Sequence, residues 1–163
     1  MKKYELTSET KIVFGHILYR IKALSSFGYV SAGDLGGFLE SEKNLSQNGN
    51  AWVSGNARVY GNAEVYGNAE VYGSARVSGN AEVSKIGSIF WIGAVGSRND
   101  TATFFRCTDG VVRVTCGCFF GNLDEFAKKV RKTHGDNDHA KVYMLAIEMA
   151  KIRIGDKKEK TEE

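Results

Sequence analysis

Between Gly49 and Ser84 the chain repeats itself every six residues: GNAWVS, GNARVY, GNAEVY, GNAEVY, GSARVS, GNAEVS. Gly holds the first position of every unit, Ala the third and Val the fifth. A fixed short period is the mark of a repeat architecture. Six residues turn a helix by about 600°, which would scatter Val53, Val59, Val65, Val71, Val77 and Val83 around its circumference. In extended chain the Ala and Val of one unit share a face, and Arg58, Glu64, Glu70, Arg76 and Glu82 point the other way. Each unit therefore reads as a very short strand, with the Gly-Asn pair supplying a corner where positive φ is tolerated.

The phase Val-x-Gly-x-Ala-x resembles the hexapeptide repeat of left-handed parallel β-helices. The resemblance implies three units per coil, and so two full coils from the 36 residues of the block. Asp34 to Asn48, with Leu35, Leu39 and Leu45 near the right phase, would add an imperfect third. Positions three units apart would then stack, Arg58 on Arg76, Glu64 on Glu82 and Tyr72 on Ser54. The chain contains no proline, which fits rungs whose backbone N–H groups all serve a neighbouring coil. Tyr60, Tyr66 and Tyr72 fall on three different faces, and Trp52 reads as a contact for the first coil. The expected fold is mainly β, a left-handed parallel β-helix followed by a small α+β unit of a hairpin and two helices.

Four segments are expected: 1–34 capping the β-helix, 35–84 the β-helix, 85–154 an α+β recognition unit and 155–163 a frayed charged tail. Upstream, Ile17, Tyr19, Ile21 and Ala23 alternate with Leu18, Arg20, Lys22 and Leu24, a strand suited to covering the first coil's open edge. Gly33-Asp34-Leu35-Gly36-Gly37 reads as a turn, since it lacks the helix and Lys-Ser/Thr of a phosphate loop. Downstream, Ile86 to Val95 reads as a strand. Thr101 to Cys107 and Val111 to Cys118 read as a hairpin about Asp109-Gly110. A two-residue turn there makes opposed residue numbers sum to 219, which pairs Arg106 with Arg113 and puts Thr103, Phe105, Cys107, Val112, Val114, Cys116 and Cys118 on the apolar face. Asn122 and Glu125 have the spacing of a capping box. A helix follows with Leu123, Phe126, Ala127 and Val130 inward, then a second from about His139 to Ile154 with Tyr143, Met144 and Ile147 as core.

Charge excludes several classes. The net charge of +3 divides as +2, −2 and +3 over residues 1–34, 35–84 and 85–163, too even for a broad nucleic-acid-binding face. Direct nucleic-acid binding is therefore not expected. The longest apolar run, Ile86 to Ser97, has 12 residues, against about 20 for a membrane span. Glu5, Ser8, Glu9 and Lys11 interrupt any export signal, and 3 cysteines suit reduced thiols in a cytoplasm. Cys107, Cys116, Cys118 and His134 invite a zinc reading, but the ladder keeps Cys107 rungs away from Cys116, and buried apolar thiols account for them better. No metal or cofactor is expected.

Arg106 opposite Arg113 would be a costly like-charge pair, and so a hint of function. Arg98, in Ser97-Arg98-Asn99, precedes the hairpin. Three guanidinium forks close together suit a phosphate or another anion. His134 and Asn137, between the two helices, complete the candidate ligand-binding set of Ser97, Arg98, Asn99, Arg106, Arg113, His134 and Asn137. No catalytic residue stands out. Hexapeptide acyltransferases share the scaffold, but the repeat block holds no histidine, since His16, His134 and His139 all lie outside it.

Over nearly its full length the sequence resembles small phage and prophage accessory proteins. The matching elements are Leu18-Tyr19-Arg20-Ile21, Gly33 to Gly37, Asn44-Leu45-Ser46, the GNA-V repeats, Val95-Gly96-Ser97-Arg98, Gly117-Cys118-Phe119 and Thr133-His134-Gly135-Asp136-Asn137. The resemblance implies an accessory phage protein acting in the cytoplasm of a bacterial host and countering its defences. The expectation is a non-enzymatic homo-oligomer that sequesters an anionic, nucleotide-derived signal. The alternatives are a protein inhibitor of a host defence nuclease or complex, using exposed Tyr and Trp on the repeat, and an acyltransferase taking its histidine from the C-terminal unit.

Overall fold

A computed structural model describes residues 1–155, which divide into two compact units, Met1–Ile86 and a second beginning at Gly87. The boundary falls just beyond the Ser84 expected from the end of the repeats. Beyond Gly155 the expected tail lies outside the described residues. Among the described residues the chain is mainly β, with several sheets, none of them a closed barrel, followed by two helices.

In the first unit each repeat forms a short strand: β4 (Trp52–Val53), β5 (Arg58–Val59), β6 (Glu64–Val65), β7 (Glu70–Val71), β8 (Arg76–Val77) and β9 (Glu82–Val83). Each of the first three pairs in parallel with the strand three repeats further on: Trp52 with Glu70, Arg58 with Arg76, Glu64 with Glu82. The chain thus returns into register with itself every third repeat. The bonds are regular, for example Ser54 N to Val71 O at 2.9 Å, Arg58 N to Ala75 O at 3.0 Å and Tyr66 N to Val83 O at 3.0 Å. A proline at any of these donors would delete a rung. Every Ala and Val of the repeat is buried, and the corner glycines from Gly55 to Gly79 have φ between 62° and 67°.

Ahead of the repeats, β1 (Tyr4–Val13) and β2 (His16–Ala23) form an antiparallel hairpin, and β3 (Leu35–Leu39) pairs antiparallel with β2 and parallel with β5. The partial coil is longer than a full one: Leu39 pairs with Val59 and Leu45 with Val65, whereas Val53 pairs with Val71. The extra length falls between Leu45 and Val53, while Leu35 is exposed and outside the stack.

The glycine run differs from the expected turn. Only Gly33 and Asp34 turn; Gly36 and Gly37 lie inside β3, where the backbone presses on the first coil. A Cβ on Gly36 would stand 2.6 Å from Val53 O, and one on Gly37 2.6 Å from Ala57 O. The two glycines mark a lack of room, a signal that composition cannot separate from a bend. Strand β1 carries no apolar alternation, because as a polar edge strand it is paired on one side only. Trp52 is buried, edge-on to Tyr4 at 6.3 Å and Phe27 at 5.4 Å. Tyr60 is buried as well, so neither belongs to an exposed aromatic face.

The second unit is a four-stranded antiparallel meander of β10 (Ile89–Val95), β11 (Asp100–Arg106), β12 (Val112–Cys116) and β13 (Phe119–Asn122), followed by α1 (Leu123–His134) and α2 (Asp138–Ile154). Both helices pack on one face: Ala102, Phe104, Val112 and Val114 share a core with Leu123, Phe126, Val130, Tyr143, Ile147 and Ile154. The capping box forms as expected. The Asn122 side chain accepts from Glu125 N at 2.8 Å, and Glu125 accepts from Asn122 N at 2.9 Å.

The β11–β12 register differs from expectation by a single step. Cys107 N donates to Val111 O at 3.0 Å and Gly110 N to Cys107 O at 2.9 Å, which closes a three-residue loop. Opposed numbers therefore sum to 218: Phe104 faces Val114, Phe105 faces Arg113 and Arg106 faces Val112. One step of slip transfers every β11 side chain to the other face relative to β12. The helix-facing side is Ala102, Phe104, Val112, Val114 and Cys116, whereas Thr103, Phe105, Arg113 and Thr115 lie opposite. Cys118 is exposed in the tight β12–β13 turn, not on the apolar face, and β13 is a strand that the sequence pattern does not announce.

Candidate functional site

The register correction dissolves the arginine trio. Arg106 caps the end of α2: its guanidinium donates to Ile154 O and, at 2.9 Å, to Gly155 O. Arg113, on the other face, forms a two-pronged pair with Asp109, Nη1 to Oδ1 at 2.9 Å and Nη2 to Oδ2 at 2.8 Å. That pairing holds the Asp109 carboxyl below its usual range and raises the Arg113 guanidinium. Asn137 caps α2 by accepting from Ala140 N at 3.0 Å. Asn99 takes φ 50° in the β10–β11 turn, with its N–H on Gly96 O at 3.3 Å. Each of these four residues has a structural task away from the walls of the cleft described next.

Ser97, Arg98 and His134 do meet. They line a cleft of about 230 Å³ with Lys129, Thr133 and Phe126 of α1, Tyr143 of α2, Asp100, Phe119 and the β12–β13 turn. Local structure explains the meeting. Between Ile92 and Val95 the β10–β11 ladder slips, with Ala94 at φ 55°. Such a bulge re-aims the segment after it, here the turn that carries Ser97 and Arg98. Helix α1 is amphipathic, and one turn separates Lys129 from Thr133, so both stand on the same side. The His134 ring stacks on Tyr143 at 5.8 Å and 27°, and lies 5.4 Å from His139.

Tyr143 is the pivot of the cleft. Its ring meets Phe126 edge-on at 5.5 Å and its hydroxyl lies 3.7 Å from Cys116 Sγ. Burial pushes the phenol well above 10.0; Cys116 and Asp100 raise it further and Arg98 opposes them. The folded chain therefore keeps a proton that the unfolded chain gives up near pH 10, so this contribution to stability is present below that pH and lost above it. The melting temperature is expected to fall as pH rises past about 10, and Tyr143→Phe should shallow that fall in a calorimetric pH series.

Electrostatically the lining sets Arg98 and Lys129 against Asp100, whose Oδ1 already accepts from Thr101 N at 2.7 Å. The excess is cationic. Hydroxyls of Ser97 and Thr133, the imidazole of His134 and aromatic walls surround it. Sequence reasoning misses Lys129, Thr133 and Tyr143: Lys129 looks like one more cation on a solvated helix face, and Tyr143 like core. Among the described residues no cluster of His, Cys, Asp and Glu is suited to a metal, and no helix is long and apolar enough to cross a membrane. Compared with known families and curated proteins, the chain matches no family model and no curated protein.

Proposed function

We propose that this chain is a non-enzymatic binding protein that takes the charged end of an anionic small molecule, of the nucleotide-signal class, in the cleft of its second unit. The observation that carries this reading is the convergence of Arg98, Lys129, Ser97, Thr133 and His134 in one cleft with the rings of Phe119, Phe126 and Tyr143. Arg98 would fork onto phosphate oxygens, with Lys129 as a second, more mobile cation. Asp100 would accept from a sugar hydroxyl. A volume of about 230 Å³ is below the usual range of about 300–1,000 Å³ for whole small-molecule sites. It therefore suits a phosphate and sugar, with a base lying outside against Phe119.

In this reading the first unit is the rigid spine. Its parallel pairing at every third repeat supports a coil of three repeats, and the hexapeptide resemblance implies that the coil is a left-handed β-helix. The setting is that of a phage accessory protein that withdraws a defence signal inside its bacterial host.

Isothermal calorimetry against cyclic dinucleotides and ADP-ribose-type nucleotides tests the reading. Arg98→Ala is expected to weaken binding at least tenfold, since charge-assisted bonds contribute about 1.5–3 kcal/mol. Arg106→Ala and Arg113→Ala should leave it unchanged, because their guanidiniums serve the α2 end and Asp109. Absence of binding across the whole panel would overturn the proposal.

A further inference from the structure

Helix α2 is apolar on two sides. Tyr143, Ile147, Ala150 and Ile154 face the core. Val142, Leu145, Met149 and Ile152 face outward with 40%, 65%, 49% and 85% of their surface exposed. Their spacing of three, four and three is the a/d pattern of a helix–helix seam. At about 100° per residue the outward stripe lies roughly opposite the core-facing one. The helix needs no such stripe in order to pack on its own sheet.

The charges beside the stripe favour one occupant and one orientation. With Val142 and Met149 at a, and Leu145 and Ile152 at d, Lys141 and Glu148 occupy g and Arg153 occupies e. In a parallel pair each g residue approaches the following e residue of its partner, so Glu148 of each copy comes beside Arg153 of the other. An antiparallel pair with the same overlap brings Glu148 against Glu148. Within its own helix Glu148 already pairs with Lys151 at 3.0 Å, which leaves its second oxygen for the neighbour. We propose that this stripe is the seam of a parallel, two-fold pair of α2 helices formed with a second copy of the chain. Four side chains per copy fall short of the roughly 1,200 Å² typical of tight complexes, so the pair is a concentration-dependent equilibrium. It needs no ligand and stands independently of the cleft.

Sedimentation velocity of the full chain across a micromolar-to-millimolar dilution series tests the pairing. The expected result is a mass that climbs from one copy to two with concentration. Leu145→Glu should weaken the association by tenfold or more and leave the melting temperature in place, because that side chain is mostly exposed. Glu148→Arg and Arg153→Glu should each weaken the dimer, and the two together should restore it. A wild-type chain that stays monomeric throughout overturns the seam, including one that instead binds anionic lipid vesicles through Leu145. So does a dimer indifferent to Leu145→Glu. Single charge reversals that weaken the pair without mutual rescue overturn the parallel orientation.

Discussion

Gly36→Ala is expected to lower the stability of the first unit by about 3 kcal/mol or more, at the upper end of overpacking penalties. The added methyl would stand 2.5 Å from Ile21 Cγ1, 2.6 Å from Val53 O and 2.7 Å from Trp52 Cζ2. Ile21 can change rotamer. Val53 O is backbone of the first full coil, and Trp52 is held by Tyr4 and Phe27, so relief requires β3 to move away from the repeat. That movement would loosen the parallel rung between Phe38 and Arg58 and uncover the coil's apolar end. Gly37→Ala should behave alike through Ala57 O at 2.6 Å. Gly87→Ala is the control: nothing lies within 4 Å of the added atom, and stability should change by no more than about 0.5 kcal/mol. Differential scanning calorimetry reads all three, and a Gly36→Ala protein that melts like the wild type would contradict the close approach of β3.

The second large effect belongs to Gly96. Its φ of 72° lies in the left-handed region, and a Cβ there would fall onto the Tyr143 hydroxyl, with Cζ at 2.8 Å. Two penalties combine: a backbone contribution of about 1–3 kcal/mol for a non-glycine residue and a steric one that displaces either the turn or the ring. Both outcomes move Arg98 or His134, so Gly96→Ala should destabilise the second unit and weaken the nucleotide binding proposed for the cleft at least tenfold. Adding Tyr143→Phe removes the closest atom of the clash but leaves the backbone strain. The double variant should therefore recover part of the lost stability, a coupling readable in a double-mutant cycle. Strictly additive losses would show that the two residues do not meet.

These two glycines also separate what is legible in a sequence from what is not. The six-residue period is legible because every unit repeats the same local choice. The helix start at Asn122 is legible because a capping box is a purely local pattern. Gly36 has no such local meaning: its reason lies in Val53 and Trp52, far along the chain. The hairpin differs from expectation at a single point. Asp109-Gly110 fits both a two-residue and a three-residue loop, and that choice decides whether Arg106 and Arg113 meet. They do not, so the ladder itself gathers no guanidinium cluster. Arg98 and His134 keep their place for a reason the sequence does not offer, a bulge at Ala94 and one face of α1. Lys129 and Tyr143 become visible only once helix and sheet are brought together.

Pairing at every third repeat makes the length of the repeat block a counted quantity. A gene that lost or gained three repeats would leave each surviving rung with a chemically equivalent neighbour, Ala over Ala and Val over Val. Loss of one repeat would bring the next segment in a third of a circuit early, and the longer partial coil at the start would meet different partners. The units at 61–66 and 67–72 are identical, GNAEVY in both, so either can fill the other's rung. Inheritance of such a block should therefore favour jumps of three whole repeats, with β3 and Trp52 as the fixed end from which length is reckoned.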